Sequence, residues 1–506
     1  LSGEIGIGAA GAAIGVVNES SEQSARVAYG GWIESTDRLL VEADEILAVD
    51  VMTGQVSSGF LSMAASISEI HDTGLTEAYL DDATIGPQLP SDSHDICDPG
   101  LSQVRLALVR TDVDHDLTTN AGGIASGVVA VGVTVSGVDD QHQMQSWVGG
   151  GSTVVLQETL GVGGESTLNA DTTLTTLTNG VVGVSVPRSS AELKPVVATY
   201  VEDATVCVGD DLLVRAENDT RANAQGLALG ISGVGIEAIN IDAFAMPDVQ
   251  TWIEGRETRV HAHRDVVVES IVTQDADVDA ARVAVAGLGV GALEAKADSS
   301  GDVSTRVGRS AKLHVGNDFT LRSNTLGDAT VNAVSPSLAG VAIGDNNADA
   351  VASFHAEAEL GAVAGVWVAG DTLVESTSDR NAETGVVSAV VAGAVGATSN
   401  VQSIANGSNS AVVSGRVNST NDLTVAAVEN NRTVSDADSF SASLITGSGL
   451  SSRTIANPLV GASISSQVDA AGNVDVTAGA DLTTLATGTT IGVSLVTFGE
   501  ATIDAD

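Results

Sequence analysis

Two aspartate triplets are the residues whose types and spacing most directly suggest chemistry. Each carries an aspartate at every second position, and alternate residues of an extended strand share a face, so three carboxylates are expected together. Calcium takes several oxygen ligands at about 2.3–2.6 Å. The glycine that calcium loops place at the sixth position is replaced by Leu117 and Ala280, which leaves a solvated acidic turn as the alternative. The candidate Ca²⁺ ligands are Asp112, Asp114, Asp116, Asp275, Asp277 and Asp279.

Four aromatic residues at related positions suggest a binding surface. They follow one another at steps of 68, 53 and 52 residues, so we expect a column of rings. Such a column could serve as a platform for sugar rings, and paired carboxylates over a groove would add polysaccharide cleavage. Acidic residues repeat along this chain instead of clustering once, so we assign no catalytic or cofactor-binding residues. The column consists of Tyr79, Trp147, Tyr200 and Trp252.

Histidine and cysteine offer weaker signals. His261 and His263 would lie on one face of a strand, but no third metal ligand is identifiable, and surface histidines are the favoured interpretation. His94 lies near Cys97, but no third group that would orient a nucleophile can be identified. Cys97 and Cys207 are the two cysteines of the chain. We expect free thiols, with a single bridge as the alternative.

The element that must position these residues is a repeat of 51 to 54 residues. A strand led by Asp or Asn recurs at steps of 54, 53, 53, 51 and 51 residues. A period of this size indicates stacked units, each too small to bury its own apolar face. The leading residues are Asp211, Asp265, Asp318, Asp371, Asp422 and Asn473.

Composition favours strands over helices. Hydrophobic residues make up 43% of the chain, mostly Val, Ala, Leu and Ile, and prolines number only 8, as sheet ladders require. We therefore predict an all-β fold, a right-handed parallel β-helix (β-solenoid) built from repeats of ~52 residues with two coils each. About 20 coils at ~4.8 Å would give a rod of ~95 Å, with the aromatics ~10 Å apart. A kelch-like propeller is the rival, but about nine or ten repeats exceed the usual 4–8 blades.

The repeats define one continuous structural domain. Residues 1–85 are degenerate repeats, residues 86–100 form an insertion loop, and residues 101–506 are regular repeats. The 68-residue step between Tyr79 and Trp147 reveals the insertion, and loops of this kind often carry binding functions. Because the chain starts and stops in mid-pattern, we expect a piece of a longer or processed protein.

Net charge argues against nucleic acid as a partner, and the lack of long apolar stretches argues against membrane insertion. With 21 basic and 65 acidic residues the net charge is −44, so nucleic-acid binding, which needs clustered Lys and Arg, is not expected. No apolar stretch reaches the ~18 residues of a membrane helix, so membrane insertion of this segment is not predicted. The acidity fits a soluble extracellular surface, divalent cations as counterions, or a salty habitat.

Several short motifs resemble a known family. Thr-Glu-Ala-Tyr-Leu at 76–80, Ala-Thr-Val at 204–206, Gly-Asp-Asp-Leu-Leu-Val at 209–214 and Val-Gly-Val-Ser-Val at 182–186 are similar to the repeats of giant bacterial β-strand-repeat surface proteins. These are adhesins and filamentous-haemagglutinin-like β-solenoids. The resemblance implies an exported, elongated stalk, adhesin or fibre and no catalytic residues.

From these observations we predict a structural or adhesive segment of a cell-surface or extracellular fibre protein, and not an enzyme. Its expected partners are copies of itself, joined end to end, or other surface and extracellular-matrix components. The alternative is a polysaccharide-binding or polysaccharide-cleaving β-helix protein.

Overall fold

The chain folds as a parallel β-solenoid. The computed structural model describes residues 2–87, 97–308, 310–362, 365–419 and 421–505. Among these residues every strand pair is parallel, and the strands form one sheet of 15 strands and one of nine. The predicted all-β, parallel β-helix fold is therefore confirmed, and the propeller is excluded because strands stack along one axis instead of radiating round a hub.

Each full winding up to β15 contains one long strand followed by two short strands. From β16 onward the long strand and the first short strand are continuous, so a winding contains one long and one short strand. In chain order the strands are β1 (Ser2–Glu19), β2 (Glu22–Ala28), β3 (Trp32–Ile33), β4 (Ser35–Asp72), β5 (Leu75–Asp81), β6 (Thr84–Ile85), β7 (Gln103–Asp140), β8 (Gln143–Gly149), β9 (Thr153–Leu156), β10 (Leu160–Leu193), β11 (Val196–Glu202), β12 (Thr205–Val208), β13 (Leu212–Ala245), β14 (Asp248–Glu254), β15 (Arg259–Ala262), β16 (Val266–Val307), β17 (Lys312–Val315), β18 (Phe319–Leu360), β19 (Gly365–Val368), β20 (Thr372–Val413), β21 (Arg416–Ser419), β22 (Leu423–Ile464), β23 (Val468–Ala470) and β24 (Val474–Ala505).

The register of the strands shows that one repeat is one winding. Leu160 pairs with Leu212, Leu212 with Val266, and Val266 with Phe319, so each residue lies beside the residue one full repeat away. The prediction of two coils per repeat is therefore wrong. The described residues form ten windings, from the one that begins with β1 to the one formed by β24. At ~4.8 Å per step they span about 45 Å instead of ~95 Å.

Each long strand doubles back on itself. The hydroxyl oxygens of Thr119 and Ser136 lie 2.8 Å apart, and those of Thr172 and Ser189 lie 2.7 Å apart, although a straight strand would separate residues 17 positions apart by about 56 Å. The two arms of the strand therefore face each other across the interior. This bend is what makes a 52-residue winding one flattened coil.

Glycines occupy the bend where windings approach closely. A Cβ on Gly287 would lie 2.6 Å from the carbonyl oxygen of Gly233, and a Cβ on Gly340 would lie 2.6 Å from that of Gly287. Such contacts exclude any side chain at these positions, because a rigid backbone oxygen cannot move away. The Gly/Val/Ala segments of the sequence therefore mark the bend.

Among the described residues the interior holds two large apolar clusters and two small ones. One large cluster, with Leu160 and Val206, lies where the long strands meet the short strands. The other large cluster, with Leu168 and Leu193, lies between the two arms of the long strands. Small and β-branched side chains fill both, as the composition predicted.

The repeated Asx residues connect successive windings. The backbone N–H of Asp318 donates to Oδ1 of Asp265 (3.0 Å), that of Asp371 to Asp318 (2.9 Å), and that of Asp422 to Asp371 (3.2 Å). Each carboxylate thus satisfies the N–H of the equivalent residue one winding on. This ladder explains why the Asx residue recurs with the period of the fold.

A disulfide joins Cys97 to Cys207, with a Cα–Cα distance of 5.7 Å across 110 residues of sequence. The expectation of free thiols is therefore wrong. The bridge attaches the segment before β7 to β12. Residues 88–96 of the predicted insertion loop, and with them His94, lie outside the described residues.

The described residues contain one short helix, the 3₁₀ turn Pro99–Leu101, in which Asp98 accepts a hydrogen bond from the Gly100 N–H. Within this part of the chain no helix has the length and apolarity to cross a membrane.

Candidate functional site

The first aspartate triplet lies on the outer face of β7. Asp112, Asp114 and Asp116 alternate with buried residues along the strand. Asp112 pairs with Asp44 of the preceding winding. Burial raises the pKa of Asp44, and the nearby carboxylates of Glu42 and Asp112 add to that rise. The acids therefore form like-charged neighbours on a partly exposed face.

The second triplet contacts side chains of neighbouring windings. Arg221 Nε lies 3.4 Å from Asp275 Oδ2, and Asn332 Nδ2 donates to Asp279 Oδ1 at 3.3 Å. Burial, together with the charge of Asp277, raises the pKa of Asp275 to about 6. In the described part of the chain, neither triplet belongs to a group of three ligands whose atoms lie within 4.8 Å of one another. Calcium binding at these aspartates stays a prediction.

The four predicted aromatics form a direct stack. Ring centroids are 4.0 Å apart for Tyr79 and Trp147, 5.7 Å for Trp147 and Tyr200, and 4.2 Å for Tyr200 and Trp252, with interplanar angles of 5–7°. The expected spacing of ~10 Å was wrong because each repeat is one winding. Burial raises the pKa of Tyr200 to about 12.

Arginines close both ends of this aromatic ladder. Arg26 Nη1 donates to the Tyr79 hydroxyl at 2.9 Å, and the Arg306 guanidinium lies 5.5 Å from the centre of the Trp252 ring. The four rings stack across four windings, Arg306 contacts the Trp252 ring from a fifth, and Arg26 bonds to the Tyr79 hydroxyl from a sixth. A sugar approaching from the side would meet ring edges.

A second ring stack follows the sheet of short strands. His261 and His314 have centroids 5.7 Å apart, and His314 and Trp367 have centroids 4.6 Å apart. His263 is tilted beside His261 at 5.3 Å. Burial lowers the pKa of His261, and the neighbouring histidines lower it further. The 53-residue spacing of these rings could have revealed this stack, because it matches the repeat.

The least expected group of residues is a buried cluster of histidines and carboxylates between the second and third windings. Glu45 lies on β4 and His115 on β7, while Asp72 and Asp140 end these two strands and His142 follows β7. All five side chains are buried. We call them the histidine–carboxylate cluster.

Each histidine of the cluster has a carboxylate at Nδ1. His115 Nδ1 lies 2.9 Å from Asp140 Oδ2, and His142 Nδ1 lies 3.2 Å from Asp72 Oδ2. An ionised carboxylate only accepts hydrogen bonds, so both Nδ1 atoms carry the hydrogen. The opposite ring nitrogens, Nε2, consequently face the remaining carboxylate, Glu45.

Glu45 lies between the two Nε2 atoms. Its Oε1 is 3.8 Å from His115 Nε2, and its Oε2 is 3.7 Å from His142 Nε2. Thr76 Oγ1 donates to Glu45 Oε2 at 2.9 Å, and Ser21 Oγ donates to Glu45 Oε1. Among the described residues His115 Nε2 has no hydrogen-bond partner, although it is buried.

Opposite charges determine the titration of the cluster. Burial lowers the pKa of His115, but the hydrogen bond and charge of Asp140, with Asp72 and Glu45, outweigh it and raise the pKa above the ordinary value. Burial raises the pKa of Asp72, but the hydrogen bond from His142 and the charges of both histidines hold it below the ordinary value. Both groups therefore favour their ionised forms.

The cluster occupies positions that are apolar in the next winding. His115 pairs with Leu168, and Asp140 pairs with Leu193. A Cβ on Gly74 would lie 2.5 Å from the His142 ring, so glycine there leaves room for the imidazole. The residue pattern did not reveal the cluster, although His115 lies between Asp114 and Asp116 of the first aspartate triplet. Alternation places His115 inward whenever Asp114 and Asp116 face outward.

A further acid is buried on the outer face of β13, since its neighbours Ile241 and Ala243 point into the interior. Asp242, which is 8% exposed, faces Arg188 on β10 and both Glu294 and Lys296 on β16. Burial raises its pKa to about 6, Glu294 adds to the rise, and the two cations with Asn240 oppose it.

Comparisons with known proteins add no relative: no family model matches the chain, and neither the curated proteins nor the solved structures searched contain a match.

Proposed function

We propose that this chain is a structural segment of an exported cell-surface or extracellular fibre protein of the adhesin type. The observation that supports it is the unbroken parallel register from β1 to β24. A continuous ladder of backbone hydrogen bonds along one axis gives a stiff element. Stiffness and length are what a shaft requires, whereas a catalyst requires a pocket with converging reactive groups.

Charge and cysteine chemistry support export. The net charge of −44 suits a soluble, hydrated surface that repels nucleic acids. The Cys97–Cys207 disulfide is the kind of bond that persists in oxidising compartments outside the cytosol. Both observations agree with a position at the cell surface.

The proposed partners are copies of the segment itself, joined end to end, or other surface and extracellular-matrix components. Val474 and Val476 on β24 are 48% and 45% exposed, and they pair with Leu423 and Val425, which are fully buried in the preceding winding. A winding stacked on β24, whether a continuation of this chain or a second copy, would bury these apolar side chains and pair the strand edge.

The polysaccharide alternative rests on the aromatic ladder. Because the ring faces stack on each other, no observation favours a flat sugar platform there, and we do not develop this alternative.

Surface location can be tested with antibodies raised against the purified chain. Intact cells that make the protein should bind the antibody, and mild external protease should remove the signal. Labelling that requires permeabilised cells would contradict the proposal.

Axial association can be tested by electron microscopy and sedimentation over a range of protein concentrations. The wild type should form particles that lengthen by ~48 Å for each added copy, which is ten windings at ~4.8 Å. Val476→Lys should prevent growth because it places a charge on the open end, whereas Leu326→Lys, on an exposed lateral position, should not. Growth that both variants leave unchanged would contradict an axial contact.

A further inference from the structure

We propose that the histidine–carboxylate cluster is a metal site, in which Glu45, His115 and His142 bind one divalent transition-metal ion of the Zn²⁺ class. Two imidazole nitrogens and a carboxylate form a ligand set that Zn²⁺ takes in proteins. The ligand atoms of these three residues lie within 4.8 Å of one another, and all three side chains are buried.

The hydrogen-bond pattern directs both Nε2 atoms toward Glu45, with that of His115 unpartnered and that of His142 3.0 Å from Thr76 Oγ1. Asp140 and Asp72 accept hydrogen bonds from the two Nδ1 atoms, so an ion that displaces the Nε2 proton of each ring would meet an Nε2 lone pair directed toward Glu45. Histidine metal ligands typically donate their other nitrogen to a carboxylate in this way. Asp140 and Asp72 would therefore act as positioning residues for the two histidines.

The distances between the two Nε2 atoms and the Glu45 oxygens are slightly longer than those between ligands of a bound metal ion. Separations of 3.8 and 3.7 Å between Nε2 and carboxylate oxygens are too long for hydrogen bonds. Ligands at about 2.0–2.1 Å in a tetrahedron lie about 3.3 Å apart, so each Nε2–oxygen separation would shorten by about 0.4–0.5 Å and the three ligand atoms, now within 4.8 Å of one another, would move closer together. Thr76 Oγ1 is 3.0 Å from His142 Nε2, a contact that the ion would replace.

The buried nitrogen of His115 supplies an independent reason for a ligand. Its ring is fully enclosed, and its Nε2 has no partner among the described residues. A buried polar atom without a partner is costly. An ion between the histidines and Glu45 would satisfy it and would lower the negative charge of three enclosed carboxylates.

The ion would also connect two windings. Glu45 belongs to the second winding, and His115 with His142 belongs to the third. Metal binding would thus stabilise the solenoid beside the step that contains the insertion. Because the ligands are enclosed, the ion is expected to enter while the windings form and to exchange slowly afterward.

The direct test is metal content after refolding. The full chain is unfolded with chelator, refolded with either Zn²⁺ or Co²⁺, and freed of excess metal. We expect one Zn²⁺ per chain, and for Co²⁺ a visible spectrum of low-coordinate cobalt with nitrogen and oxygen ligands. A refolded wild-type chain that retains no stoichiometric Zn²⁺ or Co²⁺ would overturn the proposal, whatever the variants do.

Variants assign the ligands. His115→Gln and His142→Gln should each weaken Zn²⁺ binding at least 100-fold, and Asp140→Asn should weaken it about 10- to 100-fold because the His115 ring loses its carboxylate. His355→Gln removes an exposed histidine of β18 and is the matched control. Circular dichroism confirms that each chain is folded. Stoichiometric Zn²⁺ that survives both ligand substitutions, or that is lost in the control, would contradict the assignment.

Discussion

The buried ion pair between Arg380 and Glu429 offers a quantitative test of how the interior is stabilised. Arg380 on β20 donates through Nη1 to Glu429 on β22 and through Nη2 to the carbonyl oxygens of Phe354 (3.0 Å) and Ser408 (3.3 Å). Both charged side chains are fully enclosed. Burial lowers the pKa of Arg380 and raises that of Glu429, so each charge depends on the other.

Removal of one charge of the Arg380–Glu429 pair should lower the free energy of unfolding far more than removal of both. Arg380→Met leaves the Glu429 carboxylate buried without a cation, which costs about 3–5 kcal/mol for a pair of this kind. Arg380→Met with Glu429→Leu replaces both charges by apolar groups, and we expect it to recover all but about 1–2 kcal/mol. Glu429→Leu alone should also cost about 3–5 kcal/mol, because it leaves the Arg380 guanidinium buried without an anion. The predicted coupling energy between the two positions is therefore at least about 4 kcal/mol.

The assay must report on individual windings, because stacked repeats need not unfold in one step. Native-state hydrogen exchange, read on peptides from β20 and β22, gives the free energy of local opening, and peptides from β7 provide an internal reference. Single substitutions should lower protection in β20, β22 and the part of β18 around Phe354, and should leave β7 unchanged. If the double variant costs the sum of the two singles, the charges are not coupled, and the reasoning is refuted.

Three further predictions test the bend, the buried acid and the disulfide. Gly340→Ala should destabilise the chain by about 1–3 kcal/mol in urea unfolding. Gly396→Ala, with no atom within 4 Å of the added Cβ, should have no such effect. Equal effects of the two substitutions would contradict the close approach of Gly340 to the Gly287 carbonyl. Because burial raises the pKa of Asp242 to about 6 in the fold, against 3.8 otherwise, its contribution to stability should fall by up to about 3 kcal/mol as pH rises from about 4 past 6, and Asp242→Asn should remove that share of the pH dependence. Cys207→Ser should lower the free energy of unfolding by about 2–5 kcal/mol, and reduction of the Cys97–Cys207 disulfide should have a similar effect. A melting temperature that neither change lowers would contradict a stabilising role of the disulfide.

The sequence was sufficient for the repeat and its fold class. The Asx residue recurs because its carboxylate accepts the N–H of the same residue one winding on, so period and structure share one cause. The number of coils per repeat was wrong because nothing in the residue types marks a strand that doubles back. That feature depends on contacts between arms, such as Thr119 with Ser136.

The histidine–carboxylate cluster was beyond the sequence analysis for a similar reason. Glu45 and His142 are 97 residues apart in the chain, and only the register of two windings brings them together. Alternation along β7 already placed His115 inward, but its partners could not be named without the fold. The aromatic column was found because its members share the repeat, and its spacing followed once the winding was known.

The central claim is that one ~52-residue repeat makes one winding. Spin-label distances test it most directly, with labels at Asp219→Cys or Asp114→Cys, each combined with Asn430→Cys, because the native cysteines are bridged. The register places Asp219 four windings and Asp114 six windings from Asn430. The account predicts separations of about 19 and 29 Å, apart from label length. Separations near 38 and 58 Å would instead indicate two coils per repeat, and broad distributions without a maximum would contradict a stacked solenoid altogether.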